Sequence, residues 1–230
     1  MKGNNLMLQY KSIAIDGPSG AGKSTIAKKL SEKLNFIYID TGALYRAIGF
    51  YIINNNISPN DQNKVTENLK NIYIELKYEN KNQQVFLNNI NISDQIRSPE
   101  ISMAASSVSA FKSVRNFLLD LQRDIAKNNN VIMDGRDIAT VVLPNADVKI
   151  FLTASSKTRA KRRYDELIDK NINVTFDDVY NDMLKRDQDD SSREIAPLKQ
   201  AYDAVLVDSS NMNFDETLNY ILSIIKEKLN

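Results

Sequence analysis

The sequence predicts a doubly wound α/β fold, and three observations predict it. A phosphate-loop pattern stands between an apolar run and an amphipathic one. Short apolar runs then alternate with stretches of helical periodicity, an order that implies parallel strands with helices on both faces. The length of 230 residues suits one compact domain carrying insertions.

The elements follow in chain order. Ser12–Asp16 is a strand-like apolar run, short and continuous as a buried parallel strand should be. Gly17-Pro18-Ser19-Gly20-Ala21-Gly22-Lys23-Ser24-Thr25 satisfies G-x-x-x-x-G-K-[ST]. Three of only seven glycines fall between residues 17 and 22, which lets successive backbone N–H groups turn inward on an anion. The loop therefore predicts binding of a nucleoside triphosphate by residues 17–25. Lys23 reaches the β- and γ-phosphates, and the Ser24 hydroxyl is placed for Mg²⁺. The helix from Lys23 or Ser24 to Leu34 has Ile26, Ala27, Leu30 and Leu34 at helical spacing.

Phe36–Asp40 is a second strand, and residues 43–53 a second helix. Asp40, Thr41 and Arg46 lie at this junction. Active sites of such sheets form at the carboxyl ends of the strands, so Arg46, one turn into its helix, is placed to grip an anion. Residues 57–96 read as a small antiparallel insertion: a helix start near Ser58-Pro59-Asn60-Asp61, an alternating run Ile72–Tyr78, a turn at Asn80-Lys81-Asn82, and short strands at 85–87 and 90–92. Residues 99–128 read as two helices broken near Phe111-Lys112.

The third core strand is Val131–Asp134, and Asp134-Gly135-Arg136-Asp137 follows it. Arg136 can clamp a phosphate with its fork. Asp137, an acceptor when ionised, suits an amino group. Asp134 holds the strand-end position from which an acid supports Mg²⁺ through water. Residues 148–152 form the fourth strand and 204–208 the fifth, with helices from Ser156, Thr175 and Asn213. Arg159, Lys161, Arg162 and Arg163 read as a solvated helix face. Lys185–Arg193 lies between helical segments. Arg186 and Arg193 are seven apart, so a helical lid would carry both on one face and close over a triphosphate.

Composition narrows the chemistry. The absence of Cys excludes disulfides, thiolate zinc sites and Cys nucleophiles. The absence of His excludes a phosphohistidine intermediate and a His base. Asp, Lys, Arg, hydroxyls and backbone remain, and direct phosphoryl transfer needs no more. A net charge of +1 gives no field for nucleic acid. The first seven residues lack the apolar core of a signal peptide, and Ala47–Ile53 is too short to span a bilayer. The expectation is a cytoplasmic monomer with no membrane partner.

Taken together, these segments resemble the bacterial cytidylate kinases, a nucleoside monophosphate kinase family. The resemblance rests on Ile15–Lys23, Asp40–Arg46, Ala104-Ala105-Ser106, Val114-Arg115, Asp134–Asp137, Val148–Ser155, and Arg186-Asp187 through Arg193 to Ala196-Pro197-Leu198. It implies a single kinase domain over 1–230 on a five-stranded parallel P-loop sheet, with an acceptor-side β subdomain at 57–96 and a lid at 185–196. It implies ATP and CMP or dCMP as substrates, with Mg²⁺ accompanying ATP. It implies that Ser106, Arg115 and Asp137 read cytosine, and that Arg46 and Arg136 hold the acceptor phosphate. Asp40 and Thr41 belong to the same CMP region, and Arg186, Asp190 and Arg193 to the lid side. The catalytic set is then Lys23, Arg136, Arg186 and Arg193. Position 24 departs from the family, where Gly is common; Thr25 is the alternative hydroxyl for the metal. Two other readings stand beside this one. The acceptor could be UMP, dTMP or shikimate, or the chain could be a P-loop switch without transfer. Against a GTP switch, Asn63-Lys64-Val65-Thr66 and Asn80-Lys81-Asn82-Gln83 both fail N-K-x-D at the fourth position.

Overall fold

A computed structural model describes residues 10–79 and 82–229. In chain order the elements are β1 (Ser12–Asp16), α1 (Lys23–Leu34), β2 (Ile37–Asp40), α2 (Thr41–Asn54), α3 (Gln62–Asn68), β3 (Ile74–Glu79), β4 (Asn82–Leu87), β5 (Ile90–Asn91), α4 (Pro99–Val108), α5 (Lys112–Asn128), β6 (Val131–Gly135), β7 (Val148–Thr153), α6 (Ser156–Asp169), α7 (Phe176–Ser192), β8 (Val205–Asp208) and α8 (Phe214–Leu229).

Among the described residues, five strands form one sheet in the order β2-β6-β1-β7-β8, and each pairing is parallel. Strand side chains alternate between faces, and β1 divides its residues accordingly. Ile13 and Ile15 pack with Leu30, Ile150, Leu152 and Ile221 under α1 and α8. Ala14 packs with Ile39, Met133, Ile138 and Val142 on the other face. Because both faces are covered, β1 and β6 read as continuous apolar runs. The chain winds from β1 to one side and then crosses to the other, so the order reverses beside β1. That is where ligands of doubly wound sheets bind, and the phosphate loop leaves β1 there.

A three-stranded antiparallel sheet, β3-β4-β5, occupies the expected insertion. The residues Asn80 and Lys81 of its expected turn lie outside the described residues, as does the N-terminal segment read for a signal peptide. The small sheet has no core of its own. Ile74, Val85, Leu87 and Ile92 share a cluster with Leu44, Ile48 and Ile52 of α2 and with Val114 and Leu118 of α5.

Helix starts follow from side-chain caps. Asp40 accepts from Ala43 N, Ser98 from Ile101 N with Pro99 in the first turn, Ser155 from Thr158 N, and Thr175 from Asp178 N. The sequence contains no cue for one element. After β6 the chain makes a single π-helical turn, Ile138–Val142.

Two expectations are corrected. Lys185–Ser192 does not lie between helices but forms the last turns of α7, because nothing breaks the helix before Arg193 and Val179, Met183 and Asp190 bury its inner face. Arg159 and Arg162 do not face solvent. Arg159 is buried, and Arg162 donates to Ser209 O at 2.9 Å and Ser209 Oγ at 3.2 Å. Lys161 and Arg163 pair along α6 with Asp165 and Glu166.

Helices α2 and α4 cross closely at Gly49, where an added Cβ would stand 3.0 Å from Ala105 N and 3.2 Å from Ala104 Cβ. Gly49→Val should therefore overpack this crossing and lower stability by about 1–3 kcal/mol, read as a fall in the urea midpoint at unchanged m-value.

Candidate active site

The phosphate loop is fixed by close approach to its neighbour strand. At Gly17 a Cβ would lie 1.9 Å from Leu152 O of β7, so no side chain fits there. Gly20 and Gly22 take φ of 72° and 88°, the left-handed region that glycine enters without strain. Lys23, buried, donates to Pro18 O at 2.7 Å. Burial first, and the Arg136 charge second, pull its ammonium well below the usual lysine range.

Asp134 ends β6 beside this loop. Its Oδ2 accepts from Ser24 Oγ at 2.8 Å and its Oδ1 from Tyr38 OH at 2.9 Å. Burial and the nearby Asp40 carboxylate raise its pKa. Ser24 and Asp134, joined by this hydrogen bond, give hard oxygen donors of the kind Mg²⁺ takes. Ser24 and Thr25 are both exposed. Among the described residues no cluster of three or more metal-binding side chains occurs. A cation held chiefly by nucleotide phosphates, with one or two protein oxygens, fits this donor set.

On the acceptor side, Asp40 caps α2 and holds Arg46 by Oδ2 at 2.7 Å. Thr41 donates to Asp134 O at 2.7 Å, tying α2 to β6. Arg115 and Asp137 form a buried ion pair at 2.9 Å. Arg115 also donates to Tyr45 OH at 3.0 Å. Burial raises the Asp137 carboxyl, against the Arg115, Arg193 and Arg136 charges.

Asp190 of α7 joins the two halves. It accepts from Arg136 Nε at 2.7 Å and pairs with Arg193. Burial works to raise its carboxyl, but Arg136, Arg193 and Arg186 outweigh burial and hold it below the ordinary range. Arg186 reaches Ser19 Oγ at 3.4 Å. Burial first and Arg136 second disfavour the Arg186 charge, and Arg46 is near enough to add to this. A cleft of about 340 Å³ opens here, lined in part by Ser106, Met103, Asn60, Phe111, Asp190 and Arg193.

These contacts join the phosphate loop, Asp40, Thr41, Arg46 and Asp134, and separately Arg136 with Asp190 and Arg193 and Arg115 with Asp137, while Ser106 is linked to Asp190 and Arg193 only through the lining of the cleft. The arginines remain incompletely satisfied. Among the described residues, buried side-chain atoms lacking a hydrogen-bond partner include Arg46 Nε, Arg186 Nε and Arg193 Nε. Such donors retain capacity for an anion or a polar ring.

Sequence reading missed the residues that hold these groups in place. Tyr38 and Tyr45 supply hydroxyls to Asp134 and Arg115. The buried Ser109 accepts from Arg193 at 3.0 Å. Asp16 accepts from Ile138 N at 2.8 Å and Ala139 N at 2.7 Å, while Arg123 donates to Val141 O and Val142 O. These two side chains brace both ends of the π-turn and so aim Arg136 and Asp137. A tyrosine hydroxyl inside the apolar run Phe36–Ile39 was the one available signal.

Comparison with known proteins agrees in kind. A family model described as cytidylate kinase matches residues 13–227. A cytidylate kinase of Thermosipho melanesiensis is 48% identical over 94% of this chain and 97% of its own length. One from Caldicellulosiruptor bescii is 49% identical over 93% and 94%. Among solved structures, an uncharacterized protein from Eubacterium ventriosum superposes with a TM-score of 0.50 at 14% identity, covering 94% of this chain and 98% of that one. That likeness concerns the fold alone.

Burial raises Asp16 to about 7, against its two backbone hydrogen bonds. The native chain therefore binds a proton here that the unfolded chain has already released above its ordinary value of 3.8. Stability from this group falls as pH rises through that window. In urea unfolding at pH 4.5 and 7.5, the advantage of wild type over Asp16→Asn should be larger at the lower pH.

Proposed function

We infer the function from one premise: this chain belongs to the cytidylate kinase family. It transfers the γ-phosphoryl group of ATP to the phosphate of CMP or dCMP, giving ADP and CDP or dCDP. The observation that best supports the reading is the grouping of Lys23, Arg46, Arg136, Arg186 and Arg193 in one largely buried region, where the Nε atoms of Arg46, Arg186 and Arg193 lack an acceptor. Two polyanions repel one another, and only concentrated positive charge brings them together.

In this reading the loop N–H groups within residues 17–25, Pro18 excepted, and Lys23 hold the donor phosphates. Ser24 and Asp134, the latter through water, would hold Mg²⁺, which when bound neutralises charge between the β- and γ-oxygens. Arg46 and Arg136 grip the acceptor phosphate. Ser106, Arg115 and Asp137 read the cytosine: the carboxylate accepts from the exocyclic amine, and Arg115 donates to the ring acceptors. Asp40 and Thr41 serve the CMP side by positioning, the first through Arg46 and the second through Asp134. An acceptor phosphate oxygen attacks the γ-phosphorus in line, the bond to the β–γ bridging oxygen breaks, and ADP leaves with its electron pair. That phosphate is already ionised near neutral pH, so no strong base is needed. Arg186 and Arg193 screen the charge spread over the transferring group, and Asp190 holds Arg136 and Arg193 in register.

The same reading makes residues 57–96 the acceptor-side subdomain and 185–196 the lid of one kinase domain. In this reading the working unit is a monomer. The substrates are small cytoplasmic nucleotides, and no nucleic-acid or membrane partner is part of the reading. No helix among the described residues is long and apolar enough to cross a membrane.

An ADP-release assay with a panel of monophosphates tests this. Turnover should require CMP or dCMP and should be weak with UMP, AMP and GMP. Nucleotide binding without acceptor-dependent turnover would instead indicate a switch. Lys23→Ala should lower kcat by about 100-fold or more; near wild-type turnover would remove Lys23 from its role. Asp137→Asn should lower kcat/KM for CMP by about tenfold or more, since one buried donor then loses its acceptor, while KM for ATP stays within about twofold.

A further inference from the structure

We propose that Arg159 is a positioning residue which, through Asp187, links the phosphate loop to helix α7, so that donor and acceptor nucleotides each strengthen the binding of the other. The proposal rests on the functional reading above and deepens it.

Arg159 serves three partners at once. Its Nε donates to Ala154 O at 2.8 Å, which fixes it to the start of α6. Its Nη1 donates to Ser19 O in the phosphate loop at 2.9 Å. Its Nη1 and Nη2 also grip both oxygens of Asp187, at 3.1 and 2.7 Å. Asp187 is the next residue after Arg186, whose own Nη1 faces Ser19 Oγ. One loop residue is thus held by two successive residues of α7, directly through its hydroxyl and indirectly through its carbonyl.

The Ser19 carbonyl belongs to the same planar peptide as the Gly20 amide, and the two point in opposite directions. Holding that carbonyl on Arg159 aims the Gly20 N–H away from α6. The loop also runs close to both helices at this point. A Cβ on Gly20 would stand 2.9 Å from Met183 Cε of α7 and 3.0 Å from Arg159 O of α6. A shift of the loop when it closes on phosphates would therefore be passed to α7 through Arg159 and Asp187. One turn further along, α7 carries Asp190, the partner of Arg136 and Arg193. The chain of contacts therefore runs from the donor loop, through Arg159 and Asp187, to the cations of the acceptor side. Coupling of this kind is reciprocal by thermodynamic necessity.

Burial alone does not account for the pair. A buried ion pair adds little stability over a well-packed apolar pair. What Arg supplies is a rigid fork that serves three acceptors in fixed directions, which neither Lys nor an apolar side chain can do.

The test is the affinity of CMP, by calorimetry, without and with saturating AMP-PNP, a donor analogue that does not transfer its phosphate. Wild type should bind CMP at least about fivefold tighter with the analogue present. In Asp187→Asn and Arg159→Lys that ratio should fall to within about twofold of unity. A general loss of stability would weaken both affinities without changing their ratio. Arg159→Met/Asp187→Leu removes both charges together and so avoids a lone buried ion; it should fold and show the same lost ratio. A folded variant that keeps the wild-type ratio overturns the proposal. A wild-type chain that phosphorylates CMP but binds the two nucleotides independently overturns the coupling alone, and one that neither binds nor phosphorylates CMP overturns the functional reading as well.

Discussion

Burying a cation is among the least favourable things a folding chain can do, and this chain buries several at one edge of one sheet. Lys23 and Arg115 are each less than 10% exposed, and Arg136, Arg186 and Arg193 are half-buried around them. Their proximity follows from the parallel sheet. Every strand of such a sheet delivers its carboxyl end to the same rim, so loops far apart in sequence arrive as neighbours. The Asp190 carboxylate makes the arrangement tolerable by holding Arg136 and Arg193, and Asp40 and Asp137 do the same for Arg46 and Arg115. For Arg46 and Arg193 the acid satisfies part of the guanidinium and leaves Nε without an acceptor. The balance is struck short of neutrality, and the remainder is what an anionic pair of substrates can use.

The acids also give direction. A carboxylate that takes two arginines fixes the separation between them, and Asp190 fixes it across elements that are 54 residues apart in sequence. The π-turn after β6 shows the same division of labour. Its amides at Ile138 and Ala139 rest on Asp16, its carbonyls at Val141 and Val142 rest on Arg123, and the residues just before it point where substrate must be.

How much of this could be read from the sequence depended on whether the information was local. The phosphate loop is written in nine successive residues, since its glycines and its lysine act on one another directly. The strand-end motif Asp134–Asp137 was legible for the same reason, as were the helix starts near Ser156 and Thr175. Helical periodicity shows that α6 has two faces but not which of them meets the protein. Arg159 looks like any surface arginine until Asp187, 28 residues away, is brought beside it. The π-turn left no trace because its braces come from β1 and α5. The polar end of α7 looked like a loop because its inner face is lined by charges that are satisfied by other charges, a pattern hydropathy does not record.

The small sheet also touches the edge of the large one. Strand β2 lies at the rim of the five-stranded sheet, where an unpaired backbone would invite a strand from another molecule. Gln83 reaches across and treats Asp40 as a strand neighbour would, accepting from its N–H at 2.9 Å and offering its amide to its C=O at 3.3 Å. A side chain thus stands in for a sixth strand at the residue that also orients Arg46. The insertion thus covers the backbone of the same residue whose carboxylate holds Arg46, so trimming it would expose that edge and loosen the Asp40–Arg46 pair together.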